Sequence, residues 1–439
     1  MSWLRLALAN LGLSRLTSAV NVLLMALGTA SIVLLLLASA QLSDTMSRDA
    51  RGVDVVLGAK GSPVQLVLSA VYHADVPTGN ILLSDAQQWA DDARVAQAIP
   101  LSLGDSYRGF RIVGTTPDYG ALYNGEIREG AWWDGAMEAV VGASAAAAAG
   151  LSVGDTFAGA HGFSDGGHDH ENEMYRVVGV LGQTGTVLDR LVLTSLDSVW
   201  DIHDIDRGDH DEDHEDHEDH EDHEDHEDHE DHEDHEEHEE HEEHEEHEEH
   251  EENARDDDLE ITAMLLRYRS PTAAVTFPRQ VNTTSNLLAA APAVEVTRVL
   301  TLIGVGLDGL RAFSWLLIIS AGLSIFAALY GSLRTRRGDI AMLRCLGATR
   351  GELFFALLLE GFLLTLMGVA LGFFAGHVLV EWLGGWLQQS RGVGFTGLIW
   401  LQSETWLVLG LFGVGIAAAA VPAIQAYRTD VARTLAEAP

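Results

Sequence analysis

The sequence predicts an α-helical membrane protein with four transmembrane helices and a large α+β domain outside the membrane. Four long runs of apolar residues contain no charged side chain. A long segment with mixed strand-like and helix-like patterns separates the first run from the second. Mean hydropathy is slightly positive although the 439 residues include 66 acidic and 26 basic ones, so the apolar residues must be concentrated in parts of the chain.

Each charge-free run has about the 20 residues that a helix needs to cross about 30 Å of hydrocarbon. A buried core helix could explain one such run, but not four of similar length. The first run is too long for the apolar region of a cleaved signal peptide, and we interpret it as retained in the membrane. The predicted transmembrane helices are 19–40, 312–333, 353–380 and 405–427.

Arginine residues near the ends of these helices predict the orientation of the chain. Nine lie before the first helix, between the second and third, or in the tail: Arg5, Arg15, Arg334, Arg336, Arg337, Arg344, Arg350, Arg428 and Arg433. The short outer loop 381–404 contains only Arg391. Because positive residues accumulate on the cytoplasmic side, both termini are predicted to be cytoplasmic and segment 41–305 extracytoplasmic. Residues 1–18 suit a helix that lies in the membrane interface, and 428–439 form the cytoplasmic tail.

Glu360 and His377 are ionisable residues inside the third predicted helix. Such groups are expected to face protein or water rather than lipid. A structural hydrogen bond between helices and a role in a proton or ion relay are both compatible with the sequence.

Charge and residue counts exclude several classes of protein. The formal charge of −40 excludes nucleic acid as a partner on electrostatic grounds. Lys60 is the only lysine, and its neighbourhood LGAKGSP lacks the G-x-x-x-x-G-K-[ST] spacing of a phosphate-binding loop, so the chain is not itself a P-loop ATPase. Cys345 is the only cysteine, which excludes a disulfide within the chain.

Residues 334–352, RTRRGDIAMLRCLGATRGE, contain the most specific motif of the sequence. Ile340, Leu343 and Leu346 predict one apolar face of a short helix, whose polar side is supplied by arginines. Gly347 then permits a turn. An amphipathic helix at this cytoplasmic position could dock a partner or lie on the lipid surface.

The motif resembles the coupling segment of ABC transporter permeases of the MacB/FtsX type, which include the lipoprotein-releasing LolC/LolE proteins. The residues that match are Arg336, Arg337, Asp339, Ile340, Leu343, Arg344, Gly347 and Ala348. Asp339 stands where the family more often has Glu. The first helix, the third helix with Glu360, and the tail are also similar to this family, as is the order of one span, a large outer domain and three further spans.

The resemblance implies a permease that works as a homodimer or as a pair of related permeases in a bacterial inner membrane. It implies recruitment of a separate cytoplasmic ATPase through Arg336, Arg337, Asp339, Ile340, Leu343, Arg344 and Gly347. The outer domain would be periplasmic, with a MacB-like core fold, and the chain itself would carry no catalytic residue. Members of this family often act on substrates in the outer compartment without passing them through a channel.

The outer segment reads as strands and short helices over residues 111–202, and as a further strand over 259–268. Residues 54–73 are expected to form a stalk between the first helix and this domain. Four residues of this segment have side chains that occur in hydrolase active sites, but no sequence motif assigns them the roles of nucleophile, base and orienting group. They are Ser62, Ser69, His73 and Asp75.

An acidic repeat, (H-E-D)n followed by (H-E-E)n, interrupts this segment. Residues 209–258 contain 33 of the 66 acidic residues and cannot bury an apolar core, so without a ligand this insertion is expected to be disordered and expanded. The repeat follows DSVWDIHDI and is followed by a predicted strand, so we interpret it as an insertion into a loop of a folded domain. Its 14 histidines are His210, His214, His217, His220, His223, His226, His229, His232, His235, His238, His241, His244, His247 and His250.

Imidazoles flanked by carboxylates favour borderline divalent metals, with zinc as the first choice and copper and nickel as alternatives. Histidines three residues apart lie roughly 9 Å apart in an extended chain and about 5 to 6 Å apart in a helical turn. Metal is therefore expected to order the repeat locally at many exchangeable sites. A solvated acidic spacer and a pH switch titrating near about pH 6.5 are the alternatives. His161, His168 and His170 form a candidate second metal cluster.

Three functions follow from these observations. The leading hypothesis is transport or handling of a zinc-related substrate, with a periplasmic metal-binding or adaptor protein as a further partner. The alternative is mechanical action on lipoprotein or another envelope substrate, in which metal only regulates or is buffered. The third is a receptor that signals metal status. The direction of transport stays open.

Overall fold

The computed structural model describes residues 15–161, 169–202, 259–335, 347–391 and 394–428, together with positions 7, 12, 338, 342, 344 and 345. The chain divides into two compact units. The membrane unit consists of residues 1–45 and 298–439, and the outer unit of residues 46–297.

The helices and strands follow one another along the chain in this order: α1 (Arg15–Asp49), β1 (Val55–Ala59), α2 (Pro63–Ala70), β2 (Ile81–Leu82), α3 (Leu83–Ala90), β3 (Val95–Tyr107), β4 (Phe110–Gly114), α4 (Pro117–Leu122), β5 (Ile127–Gly130), β6 (Glu138–Val141), α5 (Ala143–Ala149), β7 (Thr156–His161), β8 (Asp169–Leu181), β9 (Leu191–Thr194), β10 (Glu260–Ile261), β11 (Ala263–Tyr268), α6 (Ala273–Thr284), β12 (Leu287–Ala290), α7 (Pro292–Thr335), α8 (Arg350–Arg391) and α9 (Gln402–Arg428). Residues 196–202 are also helical, and Val187–Arg190 form a 3₁₀ turn before β9.

The outer unit is built on a mixed sheet of ten strands, in the order β12-β1-β11-β3-β4-β9-β6-β8-β5, with β7 paired to β3 and β8. The long strand β3 joins the two halves of this sheet. Residues 95–101 pair with β11, and residues 102–107 pair with β4. β10 and β2 form a separate two-stranded ribbon. This mixed sheet with short helices confirms the predicted α+β outer domain.

Each half of the sheet has its own apolar core. Around β1 and β11, the rings of Trp89 and Tyr268 pack edge-on against Phe277 of α6, which is fully buried. In the other half, Phe157 stacks on Tyr175, and the alanine-rich helix α5 packs against the same core. The two cores give the outer unit a stable framework for the residues described below.

Residues 54–73, expected to form a stalk, belong instead to this framework. β1 pairs antiparallel with both β11 and β12, and the side chains of Val55, Val56 and Leu57 are fully buried. α2 follows, with the Ser62 hydroxyl accepting a hydrogen bond from the backbone N–H of Gln65. The stalk interpretation was wrong because a central strand that is covered on both faces lacks the alternation of apolar and polar residues that marks an exposed strand.

The membrane unit contains four helices long and apolar enough to cross a membrane, α1, α7, α8 and α9. This confirms the predicted number of spans, although each helix extends beyond its predicted span. α7 begins at Pro292, with only Ala291 between it and β12, and α8 continues to Arg391, so residues 381–391 are helical rather than part of the predicted loop 381–404. Polar residues end a hydrophobic run but do not end a helix, which explains the difference.

Three glycines of α8 lie on the face that packs against α1. A Cβ atom added at Gly368 would lie 2.6 Å from the Cβ of Met25, and one at Gly376 would lie 2.9 Å from the Cβ of Val33. At Gly372 it would lie 2.6 Å from the carbonyl oxygen of Ala26. Small residues four positions apart let two helix backbones approach closely, so this stripe sets the packing of α1 on α8.

Candidate functional site: the junction of α1 with the outer unit

The last turn of α1 is held within the outer unit by two tyrosine hydroxyls. Tyr72 donates a hydrogen bond of 3.0 Å to the carbonyl of Met46, and Tyr123 donates one of 2.7 Å to the carbonyl of Asp49. Both tyrosines are buried. The last carbonyls of a helix need partners from outside the regular intrahelical ladder, and here buried side chains supply them.

A buried ion pair strengthens the same turn. Oδ2 of Asp49 lies 3.0 Å from Nη2 of Arg190, and the Asp49 side chain is 1% exposed. Arg190 ends the 3₁₀ turn before β9, and its Nη2 also donates to the carbonyl of Tyr72 at 3.2 Å. Arg48 donates to the carbonyl of Gly185 at 3.1 Å. We call residues 46–49 with Tyr72, Tyr123 and Arg190 the α1 junction.

An aromatic cluster lies behind the junction. The ring of Tyr123 packs edge-on against Tyr119, whose hydroxyl lies 2.8 Å from Nε2 of His73. Burial lowers the pKa of His73 well below its ordinary value, and the positive charges of Arg111 and Arg190 lower it further. Burial raises the pKa of Tyr72 and Tyr123. The two tyrosines therefore stay protonated donors and His73 stays neutral.

α7 is attached to the neighbouring strand. Only Ala291 separates β12 from α7, and the carbonyl of Ala291 accepts hydrogen bonds from the backbone N–H groups of Val294 and Glu295. Within the sheet β12 pairs with β1, the first strand after α1, with Val56 opposite Ala290. The helices that lead into and out of the outer unit are thus joined to adjacent, hydrogen-bonded strands.

Only part of the predicted coupling segment falls among the described residues. Arg336, Arg337, Asp339, Ile340 and Leu343 lie outside them. Arg344 has a helical backbone. Gly347 has a φ of +104°, in the left-handed region that favours glycine, and its N–H donates to the carbonyl of Arg344 at 3.1 Å. The assignment of these residues to an ATPase contact stays a prediction.

The predicted metal ligands fall largely outside the described residues as well. His168 and the histidines of the repeat, His210 to His250, lie there; the backbones of His161 in β7 and His170 in β8 are described, but their side chains are not. Over the described part of the chain, no group of three or more His, Cys, Asp or Glu could hold a metal ion. Metal binding therefore stays a prediction from the sequence.

The base of the insertion is well defined. Trp200, in the helical segment that precedes the insertion, donates from Nε1 to the carbonyl of Glu260 at 2.7 Å. Glu260 begins β10, pairs with Leu82 in β2, and its carboxylate accepts a hydrogen bond of 3.0 Å from Asn80. The described residues on either side of the insertion, Trp200 and Glu260, are therefore bonded to each other within the outer unit.

The other residues considered from the sequence have separate structural roles. Ser62 caps α2, the Ser69 hydroxyl donates to the carbonyl of Leu66, and a carboxylate oxygen of Asp75 accepts from the backbone N–H of Val76. With His73 bonded to Tyr119, these four do not form a hydrolase set. Glu360 is 5% exposed within the membrane unit.

The four apolar helices and the folded outer unit define a multi-pass membrane protein with a large domain outside the membrane. Two family models match the chain: the MacB-like periplasmic core domain over residues 18–214, and the FtsX-like permease C-terminal domain over residues 311–431. Neither model covers half of the chain, and the chain is similar to each of these two families over its own range of residues. No curated protein matches the sequence significantly.

Two solved structures are similar to the chain. The periplasmic region of MacB from Actinobacillus actinomycetemcomitans has 10% sequence identity and a TM-score of 0.32, over 57% of this chain and 94% of that one. The extracellular domain of the noncanonic ABC-type transporter YknZ from Gram-positive bacteria has 9% identity and a TM-score of 0.28, over 54% of this chain and 98% of that one.

Proposed function

We propose that this permease converts ATP hydrolysis by a separate cytoplasmic ATPase into a conformational change of its outer unit. The α1 junction is the observation that carries this proposal. A flexible linker would absorb a movement of α1. Buried hydrogen bonds and the Asp49–Arg190 ion pair would instead transmit that movement to the sheet.

The secondary structure around the junction supports this role. α1 is a single helix from Arg15 to Asp49, without an internal break, and only Ala291 separates β12 from α7, which follows it. A shift of one helix along its axis therefore acts on β1 or β12, which are paired to each other. Packed elements of this kind respond as units rather than deforming gradually.

The proposed orientation places the termini and residues 334–352 in the cytoplasm of a bacterial cell and the outer unit in the periplasm. Exposed tryptophans support it, because tryptophan is enriched at membrane interfaces. Four of them lie at the ends of α8 and α9 that the arginine distribution places outside, or in the loop between these ends: Trp382, Trp386, Trp400 and Trp406. A homodimer that binds its ATPase through the coupling segment completes the proposed assembly.

The proposed substrate is zinc or a zinc-related compound, sensed or handled through the histidine repeat. The support is the strict three-residue period of histidine in the sequence, together with the insertion point. Trp200 and Glu260 close the base of the insertion, and β10 precedes β11, which pairs with β1. An event that orders the insertion would therefore act close to the sheet strand that follows α1.

The alternative function is mechanical action on lipoprotein or another envelope substrate, with the repeat serving as a metal sensor or buffer. The α1 junction supports this function equally, because it contains no residue of the repeat. The two functions differ in whether metal changes the output of the ATPase.

One experiment distinguishes the zinc function from the envelope-substrate function. The permease is purified with its ATPase in nanodiscs, and ATP turnover is measured at a series of buffered free Zn²⁺ concentrations. One variant lacks residues 209–252, and a matched variant keeps the length of the repeat but has all of its histidines replaced by glutamine. If zinc is an input, turnover responds in the intact protein and in neither variant. An equal response in all three, or no response in any, contradicts the zinc function and favours the envelope substrate.

A further inference from the structure

At the predicted outer end of the membrane unit, residues 394–401, here called the outer loop, fold back onto α8. A Cβ atom added at Gly397 would lie 2.1 Å from the carbonyl oxygen of His377, so the two backbones are in close contact. An Oε2 atom of Glu381 accepts hydrogen bonds from the Thr396 hydroxyl at 2.9 Å and from the Gly397 N–H at 2.8 Å. The loop is thereby tied to one turn of α8.

The outer loop is also tied to α1. The side-chain amide of Gln41 donates to the carbonyl of Thr396 at 3.0 Å, and its oxygen accepts from the N–H of Thr396 at 2.8 Å. A single short segment thus connects α1 and α8, and it leads directly into α9.

His377 and Glu404 meet beneath this loop. Nδ1 of His377 lies within hydrogen-bond distance of the carbonyl oxygen of Gly397, and Nε2 lies 3.6 Å from Oε2 of Glu404. The imidazole stacks on Phe373 and on Trp400, so its plane is fixed. The Glu404 side chain is fully buried, and its Oε1 has no hydrogen-bond partner among the described residues.

The proton positions follow from these contacts. A carbonyl oxygen only accepts, so Nδ1 of His377 must carry a hydrogen. A neutral imidazole then presents the lone pair of Nε2 to the carboxylate of Glu404, and the two lone pairs repel each other. One additional proton, on Nε2 or on the carboxyl group, converts this contact into an attraction. Burial of Glu404 favours the same outcome, because an unpaired carboxylate is costly in a dry site.

We propose that His377 and Glu404 form a site that binds one proton, and that this proton holds the outer loop against α8 and α9. Other polar groups among the described residues lie on the loop and beside the pair. Glu381, on α8, is bonded to the loop; Gln41, on α1, is neutral; and the backbone N–H of Leu401 donates to Oε2 of Glu404 at 3.4 Å. The ATPase and the histidine repeat take no part in this site.

The pH dependence follows by counting protons. When the loop is released to water, the two side chains separate and no longer share a proton. Where the bound state holds one proton more than the released state, binding of the loop takes that proton up, so binding weakens as the pH rises, by up to about tenfold per pH unit.

A spin label on the loop tests this site. Leu398 is 85% exposed, so the double variant Cys345→Ser/Leu398→Cys accepts a single label without disturbing the packing. In nanodiscs, the ratio of immobile to mobile label is expected to fall as the pH rises, by up to about tenfold per pH unit over the range in which binding of the loop takes up the proton. Glu404→Gln can donate an amide N–H to Nε2 of the neutral imidazole without taking up a proton, so its ratio is not expected to fall as the pH rises.

Glu381→Gln provides the matched control, since its side-chain oxygen still accepts from Gly397 and the His377–Glu404 pair is intact. This variant is expected to keep the pH response. A pH-independent ratio in the parent protein overturns the proposal, as does a slope in Glu404→Gln equal to that of the parent. If a variant fails to fold, the pH dependence of the label ratio in the parent protein still tests the proposal.

Discussion

Tyr123 donates a hydrogen bond of 2.7 Å to the carbonyl of Asp49, the last residue of α1. The two residues are far apart in sequence, and the bond joins the last residue of α1 to the residue that directly follows α4, within the outer unit. It is the shorter of the two tyrosine contacts of the α1 junction and the more direct one to test.

We expect Tyr123→Phe to destabilise the outer unit by about 1 kcal/mol, because the mutation removes one buried hydrogen bond and leaves the Asp49 carbonyl without its donor. We also expect weaker coupling between ATP turnover and outer movement. Thermal unfolding of the full chain in nanodiscs measures the first effect. Spin-label distances within the outer unit, with and without ATP, measure the second.

Tyr268→Phe is the control for this substitution. Its hydroxyl is buried and has no hydrogen-bond partner among the described residues, so its removal is expected to change neither stability nor coupling by much. An equal loss in both variants would mean that the Tyr123 hydroxyl is not part of the transmission.

The geometry of the Asp49–Arg190 ion pair predicts that removing Arg190 destabilises the protein more than removing Asp49. Arg190→Gln leaves a carboxylate that is 1% exposed without its counter-charge, which costs about 3 to 5 kcal/mol. Asp49→Asn leaves the guanidinium, which is 17% exposed and can still reach water, so a smaller loss is expected. Denaturant unfolding of both single variants and the double variant measures the coupling; a larger loss in Asp49→Asn would contradict the assignment.

His73 predicts an acid-dependent loss of stability. Its pKa is lowered in the folded protein, so below about pH 6.5 the unfolded chain binds a proton that the folded chain does not. Stability is expected to fall by up to about 1.4 kcal/mol per pH unit from this group, and to be unaffected by it above pH 7 or so. His73→Asn, which suits the φ of +50° at this position, should flatten the slope between about pH 5 and 6.5. An unchanged slope would exclude His73 as the cause.

The glycine stripe of α8 predicts that a larger residue in the stripe disturbs the packing of α1 on α8. Gly372→Ala places a methyl group 2.6 Å from the Ala26 carbonyl oxygen and 2.6 Å from the Cβ of Thr29, so α1 and α8 must separate, at a cost of about 1 to 3 kcal/mol. Gly385→Ala, in the same helix, meets no atom within 4 Å and serves as the control. Thermal stability in nanodiscs distinguishes them, and equal values would show that the close approach is not needed.

The number of spans was predictable from sequence because each helix contains a charge-free run of the length that a bilayer requires. The resemblance of residues 334–352 to the permease coupling segment pointed to the same two families whose models match parts of the chain. The α1 junction was not predictable, since Tyr72 and Tyr123 look like ordinary aromatic residues until the fold brings them to Met46 and Asp49. The pair His377–Glu404 likewise depends on the return of the outer loop.

One further signal was present in the sequence and was missed. Gly368, Gly372 and Gly376 recur every four residues, a spacing that places them on one face of a helix and indicates close packing in a membrane. The incorrect stalk prediction for residues 54–73 has a different cause, because here the sequence contains no such signal. An apolar segment next to a membrane span can be a buried strand or a connecting segment, and its residue pattern does not distinguish the two.

The hydrogen bond between Trp200 and Glu260 makes the insertion a natural place for protein engineering. Because Trp200 and Glu260, on either side of the insertion, are bonded to each other, a compact domain with neighbouring termini could replace the repeat with little effect on the surrounding fold. A fluorescent protein inserted there would report on the surroundings of β10 and β11 in living cells. The repeat could equally be exchanged for loops of other lengths, which would turn the permease into a scaffold for chosen ligands.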